Sequence, residues 1–466
     1  MAVTAEKSIS RKHFETSREL DFLSRKELIA QTGHQVREWP LVILKELVDN
    51  ALDACEEAGV APSIEIAVDD LGITISDNGP GIPPDVISSV LDFAVRVSSR
   101  EAYVAPDRGR QGNALKTIVA MPFVLSGGQI GNVRIQSRGI QHNITLGVDR
   151  VRQSPVVQHE QTESDRKTGT SVFVEWRNSP GSIENQDPRF LQNDDDDNDN
   201  SPGSILKLAK ERFLQIAQDY CWLNPHVSVS VDWLGEQSEV QAANTSWSKW
   251  KASNATDPHW YGLDELERLV AANVAHDADN GRNQLVREFL TEFRGLSGSA
   301  KVKQILDKCD MARTPLNELV RADGTDKTRL ERLLLAMKEA TKPVKPEMLG
   351  VIGKDHLEQR CIEVGGEPKS FQYKKVKGVN KGLPCVIETA FAWCPNATSR
   401  RIITGVNWSP GIINPFRQLG HWGQSLDSIL HEQRAGREEP TVLMLHIACP
   451  KVLYADRGKS SIIVER

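Results

Sequence analysis

The chain has 466 residues, 39% of them apolar, and its 57 basic and 63 acidic side chains leave a formal net charge of −6. At roughly 100–200 residues per domain this length predicts about three domains, each long enough to bury its own core. The mild acidity excludes a protein that coats nucleic acid through bulk charge, so any DNA contact must come from local basic patches. In chain order, a long helical pattern over about 40–59 precedes Ile64, Ile66 and Val68 at period two, a turn at Asp69-Asp70-Leu71-Gly72, and then Ile73 and Ile75. Further strand-like runs lie at 133–136, 144–148, 171–176 and 227–233, which predicts a mostly antiparallel α/β sandwich. The acidic run 193–200 and the following Ser201-Pro202-Gly203 read as a solvated loop inserted in this first domain. From about 257 to 349 the pattern turns wholly helical, with Leu330, Leu333, Leu334 and Met337 on one stripe. Strand-like runs resume at 386–392, 401–406 and 441–448.

Seven dispersed cysteines without a CxxC pair read as reduced, buried thiols. No apolar run approaches the roughly 18 residues of a membrane span, so the expected address is cytoplasmic, nucleoid-associated in a prokaryote, with no membrane partner.

Three segments carry chemistry. On the first long helix, Glu46, Asn50, Asp53 and Glu57 fall on one face, opposite Leu44, Leu47, Val48, Ala51 and Cys55. Such a face is either simply solvated or, since it holds no Lys or Arg, suited to orienting water and holding a hard cation such as Mg²⁺ through an amide oxygen. Asp77-Asn78-Gly79-Pro80-Gly81 ends the second strand: it is a tight turn, or a place where glycines admit a ligand and Asp77 accepts from an exocyclic amine. Gly109 to Thr117 feeds a helix amino terminus that can offer N–H groups to phosphates. Neither common nucleotide fingerprint fits, because Gly458-Lys459-Ser460 has Leu453 where a P-loop needs its leading glycine, and no GxGxxG follows a strand.

Those segments, followed by Thr168-Gly169-Thr170-Ser171, resemble in order and spacing the ATP-binding motifs of the GHKL superfamily. Further similarity narrows the family to the B subunit of DNA topoisomerase VI, the ATPase subunit of type IIB topoisomerases. It rests on Phe14 to Leu20, Leu223-Asn224-Pro225-His226, Asp257-Pro258-His259, Phe289 to Phe293, Ser299-Ala300-Lys301, Leu349 to Gly353, Gly405 to Pro410 and His446 to Ser460. The resemblance implies an α+β multidomain fold. Its expected parts are an N-terminal strap over 1–25, a GHKL (Bergerat) ATP-binding sandwich over 26–240 with the acidic loop at 193–203, a helix-two-turns-helix-like module over 250–350 and a transducer-like domain over 351–466.

Carried over by resemblance, Glu46 is the general base and Asn50 the Mg²⁺ ligand. Asp77, aided by Thr170, takes the adenine amine, and Gly79 and Gly81 shape the pocket. Gly109, Gln111, Gly112 and Asn113 form a lid, Asp53 and Lys116 join the nucleotide-binding set, and Lys459 reaches the γ-phosphate. The implied activity is Mg-dependent ATP hydrolysis that dimerises the chain and gates DNA strand passage, with double-stranded DNA and an A-type cleaving subunit as partners. Three departures stand out. Ala114 replaces a usual lid glycine, the helical module is short, and the chain ends at Arg466, before the long helix that grips the A-type subunit in the family. The last departure favours the alternative of a stand-alone ATP-switched clamp in repair or anti-phage defence. None of the five tyrosines has the acidic company of a metal-assisted cleavage site, so this chain is not expected to cut DNA. Lys369, Lys374, Lys375, Lys377 and Lys381, with Phe371 and Tyr373 among them, read either as a DNA-contacting patch or as a solvated loop.

Overall fold

The computed structural model describes residues 23–92, 102–109, 114–149, 154–176, 201–321, 324–419, 424–456 and 459–463. The acidic run 193–200, the segment Phe14 to Leu20, most of the expected strap and the expected lid residues Gln111, Gly112 and Asn113 lie outside them.

The first part of the chain is built from α1 (Arg25–Thr32), α2 (Trp39–Ala58), β1 (Ser63–Val68), β2 (Gly72–Asp77), α3 (Pro84–Val90), α4 (Ala114–Leu125), β3 (Gly131–Ser137), β4 (Ile140–Asp149), β5 (Ser154–Glu163), β6 (Thr170–Glu175), α5 (Pro202–Leu223), β7 (Ser228–Trp233) and β8 (Glu236–Val240). The strands form one eight-stranded sheet in the order β5-β4-β3-β6-β2-β1-β7-β8. Every pairing is antiparallel except β1 with β7. In β1 the alternation of Ile64, Ile66 and Val68 with the exposed Ser63, Glu65 and Ala67 buries one face, as period two requires. The Asp69 carboxylate closes the β1–β2 turn by accepting from the backbone N–H groups of Leu71 (2.8 Å) and Gly72 (2.9 Å).

Helix α2 starts with Pro40 in its first turn and stops at Gly59, whose left-handed φ of 70° lets its N–H return to the carbonyls of Cys55 and Glu56. It lies in a core that also takes Ile118, Met121 and Phe123 of α4, Phe213 and Ile216 of α5, and the inner face of the sheet.

Then follow α6 (Leu263–Asp279), α7 (Val286–Leu290), α8 (Ser299–Cys309), β9 (Val320–Arg321), β10 (Gly324–Thr325), α9 (Lys327–Ala340), α10 (Lys354–Glu363), β11 (Gln372–Asn380), β12 (Leu383–Trp393), β13 (Arg401–Val406), β14 (Ser409–Pro410), α11 (Leu426–Glu432) and β15 (Thr441–Ala448). The stretch read as wholly helical therefore contains one short strand pair, β9 with β10. The second large sheet has the order β11-β12-β15-β13-β14, with β13 and β15 parallel. A single core joins the helices over 263–361 to this sheet. The lysine-rich segment is no loop: Lys374, Lys375 and Lys377 stand on the exposed edge strand β11, and Lys377 pairs with Glu347 at 2.6 Å.

Helix α5 bridges the two halves. Arg212 on it donates to the Gly411 and Ile412 carbonyls (2.6 and 3.2 Å), and buried Asp219 meets Arg401 of β13 at 3.2 Å. All seven cysteines are free, six of them buried. Among the described residues no helix is long and apolar enough to cross a membrane.

Burial pushes the Asp219 carboxyl up to about 6, against the opposing pull of Arg401 and Arg212. A carboxyl raised by folding contributes stability that is present below its unfolded pKa and is lost as pH rises through its folded value. Urea unfolding of wild type and Asp219→Asn should therefore diverge between about pH 4 and about pH 7, the variant gaining up to about 3 kcal/mol relative to wild type. A difference independent of pH would contradict this.

Candidate functional site

The end of β2 and the start of β6 make the first part of the site. Asp77 Oδ1 accepts from the N–H of Gly79 (2.8 Å) and of Thr170 (3.2 Å), so one carboxylate oxygen is committed to the backbone; the other has no hydrogen-bond partner among the described residues. Burial raises the Asp77 carboxyl above the usual range, opposed by those two N–H donors and by Arg166. The loop is stitched to its neighbour by Gly169 N–H to the Gly79 carbonyl (2.7 Å) and by Ile82 N–H to Ser137 Oγ (2.7 Å). At Gly79 a Cβ would sit 3.0 Å from Asp77 Oδ1 and 3.2 Å from Cys55 Sγ. Gly81 has a φ of 79° and Gly169 one of 73°, and a Cβ on Gly169 would collide with the Asp77 carbonyl oxygen. This pocket can hold a carboxylate oxygen, in fixed direction, for a donor such as an amine.

Helix α2 supplies the second part. Glu46 is half-buried and Asn50 exposed, one turn apart, and among the described residues neither side chain makes a hydrogen bond. Both can take water or a cation. No group of three or more His, Cys, Asp or Glu that could hold a metal exists among the described residues. The Asn50 amide oxygen and the Glu46 carboxylate are the oxygens that this face offers to a hard cation.

Asp53 departs from the expectation of a face without cations. Arg108, 55 positions away, brings its buried guanidinium to Asp53 Oδ1 (2.8 Å), to both Glu56 carboxylate oxygens (2.8 and 2.6 Å) and to Asn224 Oδ1 (2.6 Å). Glu56 is further met by Lys249 (2.9 Å) and by His226 Nε2 (3.1 Å). Burial alone would raise the Glu56 carboxyl, but Arg108 and Lys249 outweigh it and hold it well below the usual range. Burial also lowers His226, which leaves Nε2–H as donor to Glu56. Two cations against two carboxylates close the charge balance of this nest.

A second buried cluster lies on the same helix. Asp49 accepts from Lys45 (2.7 Å), from Ser409 Oγ (2.8 Å) and from the Tyr220 hydroxyl (2.8 Å), and Lys45 also reaches Ser409. Burial would raise the Asp49 carboxyl, yet Lys45 and Arg108 bring it below the ordinary value.

The third part arrives from the far end of the chain. Lys459, with a left-handed φ of 54°, donates from Nζ to the Arg108 carbonyl at 2.7 Å, beside Gly109. The structure therefore brings Lys459, Gly109, Arg108 and Asp53 together over α2, with Asp77, Gly79, Gly81 and Thr170 grouped at the end of β2. Lys116 is directed elsewhere: its ammonium donates to the Asp92 carbonyl at 2.7 Å, and burial lowers its pKa. Arg108, Glu56, Lys249, Lys45, Asp49 and Tyr220 were not expected at the site, and His226 and Ser409, though within motif segments, had been given no role there. The available signal was the spacing of Lys45, Asp49 and Glu56, a polar line running through the apolar side of α2.

Residues 36–178 match the family described as "Histidine kinase-, DNA gyrase B-, and HSP90-like ATPase". They are an ATPase domain of this family, the GHKL fold. Over almost its whole length the chain is similar to curated B subunits of type 2 DNA topoisomerase 6. That of Archaeoglobus fulgidus is 23% identical over 91% of this chain and 66% of its own length, and that of Metallosphaera sedula 24% identical over 90% and 74%. The chain spans about two thirds of the length of the first of these. Among solved structures, the ATPase region of Saccharomyces cerevisiae topoisomerase II aligns with 91% of this chain and 77% of its own, at 10% identity and a TM-score of 0.38.

Within the GHKL domain the tightest geometric demand is at Gly169. Gly169→Ala should lower urea stability by about 1–3 kcal/mol, because the added methyl meets the Asp77 carbonyl in a left-handed backbone. Unchanged stability would show that the two loops are not locked as described.

Proposed function

We propose that the chain is the ATP-binding and ATP-hydrolysing subunit of a type IIB, topoisomerase VI-like DNA topoisomerase, dimerising on ATP to gate strand passage while an A-type partner cuts the DNA. The observation that carries the reading is the convergence of Lys459 on the Arg108–Gly109 segment above the helix that presents Glu46 and Asn50. Similarity to topoisomerase 6 B subunits over about 90% of the chain supports the larger role.

In this reading Asp77 accepts the adenine amine, and Thr170, Gly79 and Gly81 keep the carboxylate and the pocket shape fixed. Glu46 orients a water and takes its proton as the water attacks the γ-phosphorus. Asn50 offers its amide oxygen to Mg²⁺, which when bound neutralises phosphate charge. Gly109, Gln111, Gly112 and Asn113 cover the phosphates through backbone N–H groups. Lys459, held at the Arg108 carbonyl through one ammonium N–H, offers the others to the γ-phosphate, which ties the position of the C-terminal sheet to the nucleotide's state. Asp53 serves indirectly, by holding Arg108 on α2. Lys116 stays with Asp92 and supports the helix after the lid. DNA lies against a few placed lysines, such as those of β11, consistent with the weak overall charge.

With supercoiled plasmid, ATP, Mg²⁺ and an A-type subunit, wild type should relax the DNA. Glu46→Ala should lose relaxation and ATP turnover by at least about 100-fold while still binding ATP. Unchanged turnover in Glu46→Ala would overturn the base assignment. ATP turnover without relaxation by any A-type subunit would overturn the topoisomerase role.

A further inference from the structure

Two amides fasten the segment that carries Lys459's acceptor to the C-terminal sheet. Asn224, fully buried at the end of α5, accepts from Arg108 Nη2 at 2.6 Å and donates from Nδ2 to the Trp408 carbonyl at 2.8 Å. Asn407 donates from Nδ2 to the Asp107 carbonyl (3.3 Å) and accepts at Oδ1 from the Cys449 N–H (2.9 Å). Residues 107–108 are thus held from one side by α2, through Asp53 and Glu56, and from the other by the turn between β13 and β14.

That turn is unusually constrained. Asn407 and Trp408 both adopt left-handed backbone, with φ of 49° and 63°. For a Trp this costs on the order of 1–2 kcal/mol and persists only where the surroundings enforce it. They do so here: Trp408 is fully buried, its N–H donates to His446 Nε2 at 3.1 Å, and Lys249 lies 5.2 Å from its ring centroid. Burial holds His446 down to about 3, so the ring stays neutral and accepts. The next residue, Ser409, reaches back to Asp49 of α2. Three successive residues of the turn therefore contact residue 107, the partner of Arg108 and α2 itself.

We infer that Asn407, with Asn224, is a positioning residue for ATP hydrolysis: the two amides fix the Arg108 carbonyl, and with it Lys459, relative to Glu46 and Asn50. The inference rests on the ATPase reading and deepens it. Neither amide meets nucleotide. Their effect falls on the turnover step, where a displacement of about 1 Å costs orders of magnitude in rate, and hardly on adenine binding, which Asp77 governs.

The test uses the full chain with ATP and Mg²⁺, reading kcat, KM, ADP affinity and thermal midpoint. Asn407→Asp is isosteric, tolerates left-handed backbone and still accepts from Cys449, but it turns a carboxylate oxygen toward the Asp107 carbonyl. Asn407→Gly adopts the same φ without strain and deletes the amide without adding charge, so it reads the same loss if the Asp variant folds poorly. Both should lower kcat about tenfold while KM and ADP affinity shift by less than about threefold. Turnover within about twofold of wild type in a folded variant overturns the inference, as does a parallel loss of ADP binding and thermal midpoint, the mark of a purely structural role. A wild-type chain that binds no ATP would instead bring down the ATPase reading, and this inference with it.

Discussion

The buried guanidinium of Arg108 is the interaction on which the other contacts of the site depend. Its fully buried side chain neutralises two carboxylates of α2, the half-buried Asp53 and the buried Glu56, and its neighbour Lys249 completes the balance on Glu56. Removing one member of such a cluster leaves a charge that the interior cannot solvate, at a cost of several kcal/mol. The same residue offers its carbonyl to Lys459 and its guanidinium to Asn224. One side chain and one peptide group thus fix, on a single helix, a segment that the far end of the chain also holds.

Helix α2 consequently has two polar faces with different duties. Glu46 and Asn50 point away from the core and keep their hydrogen-bonding capacity. Lys45, Asp49 and Glu56 are spent on partners from α5, from residues 226 and 249, and from the turn at Ser409. A shift of that turn cannot occur without disturbing Asp49, and a shift of the Arg108 segment cannot occur without disturbing Glu56. A rigid helix between two such contacts is a physical route by which occupancy on one face is felt on the other.

Much of this was legible in the sequence, for reasons that also explain the gaps. The period-two alternation of β1 and the carboxylate face of α2 are local patterns, and Asp77, Gly79, Gly81 and Gly169 occupy a motif whose backbone demands only glycine meets well. Of the strands that went unread, the three longest, β5, β8 and β11, are sheet edges, where one-sided burial fades and polar residues fall on both faces. The Arg108 nest was hidden for another reason: its members come from residues 53, 56, 108, 224, 226 and 249, and no periodicity links them. The family motif flagged Asn224 and His226 without giving either a partner, and only the fold supplies one.

In the proposed reading Lys459 connects the C-terminal sheet to the γ-phosphate end of a site whose adenine end is fixed by Asp77. Calorimetric titration of Lys459→Met with ADP and with a non-hydrolysable ATP analogue tests it most directly. The analogue's affinity should fall about tenfold or more, toward that of ADP, while ADP affinity stays as in wild type. Equal losses for both nucleotides, or no loss for either, would contradict it.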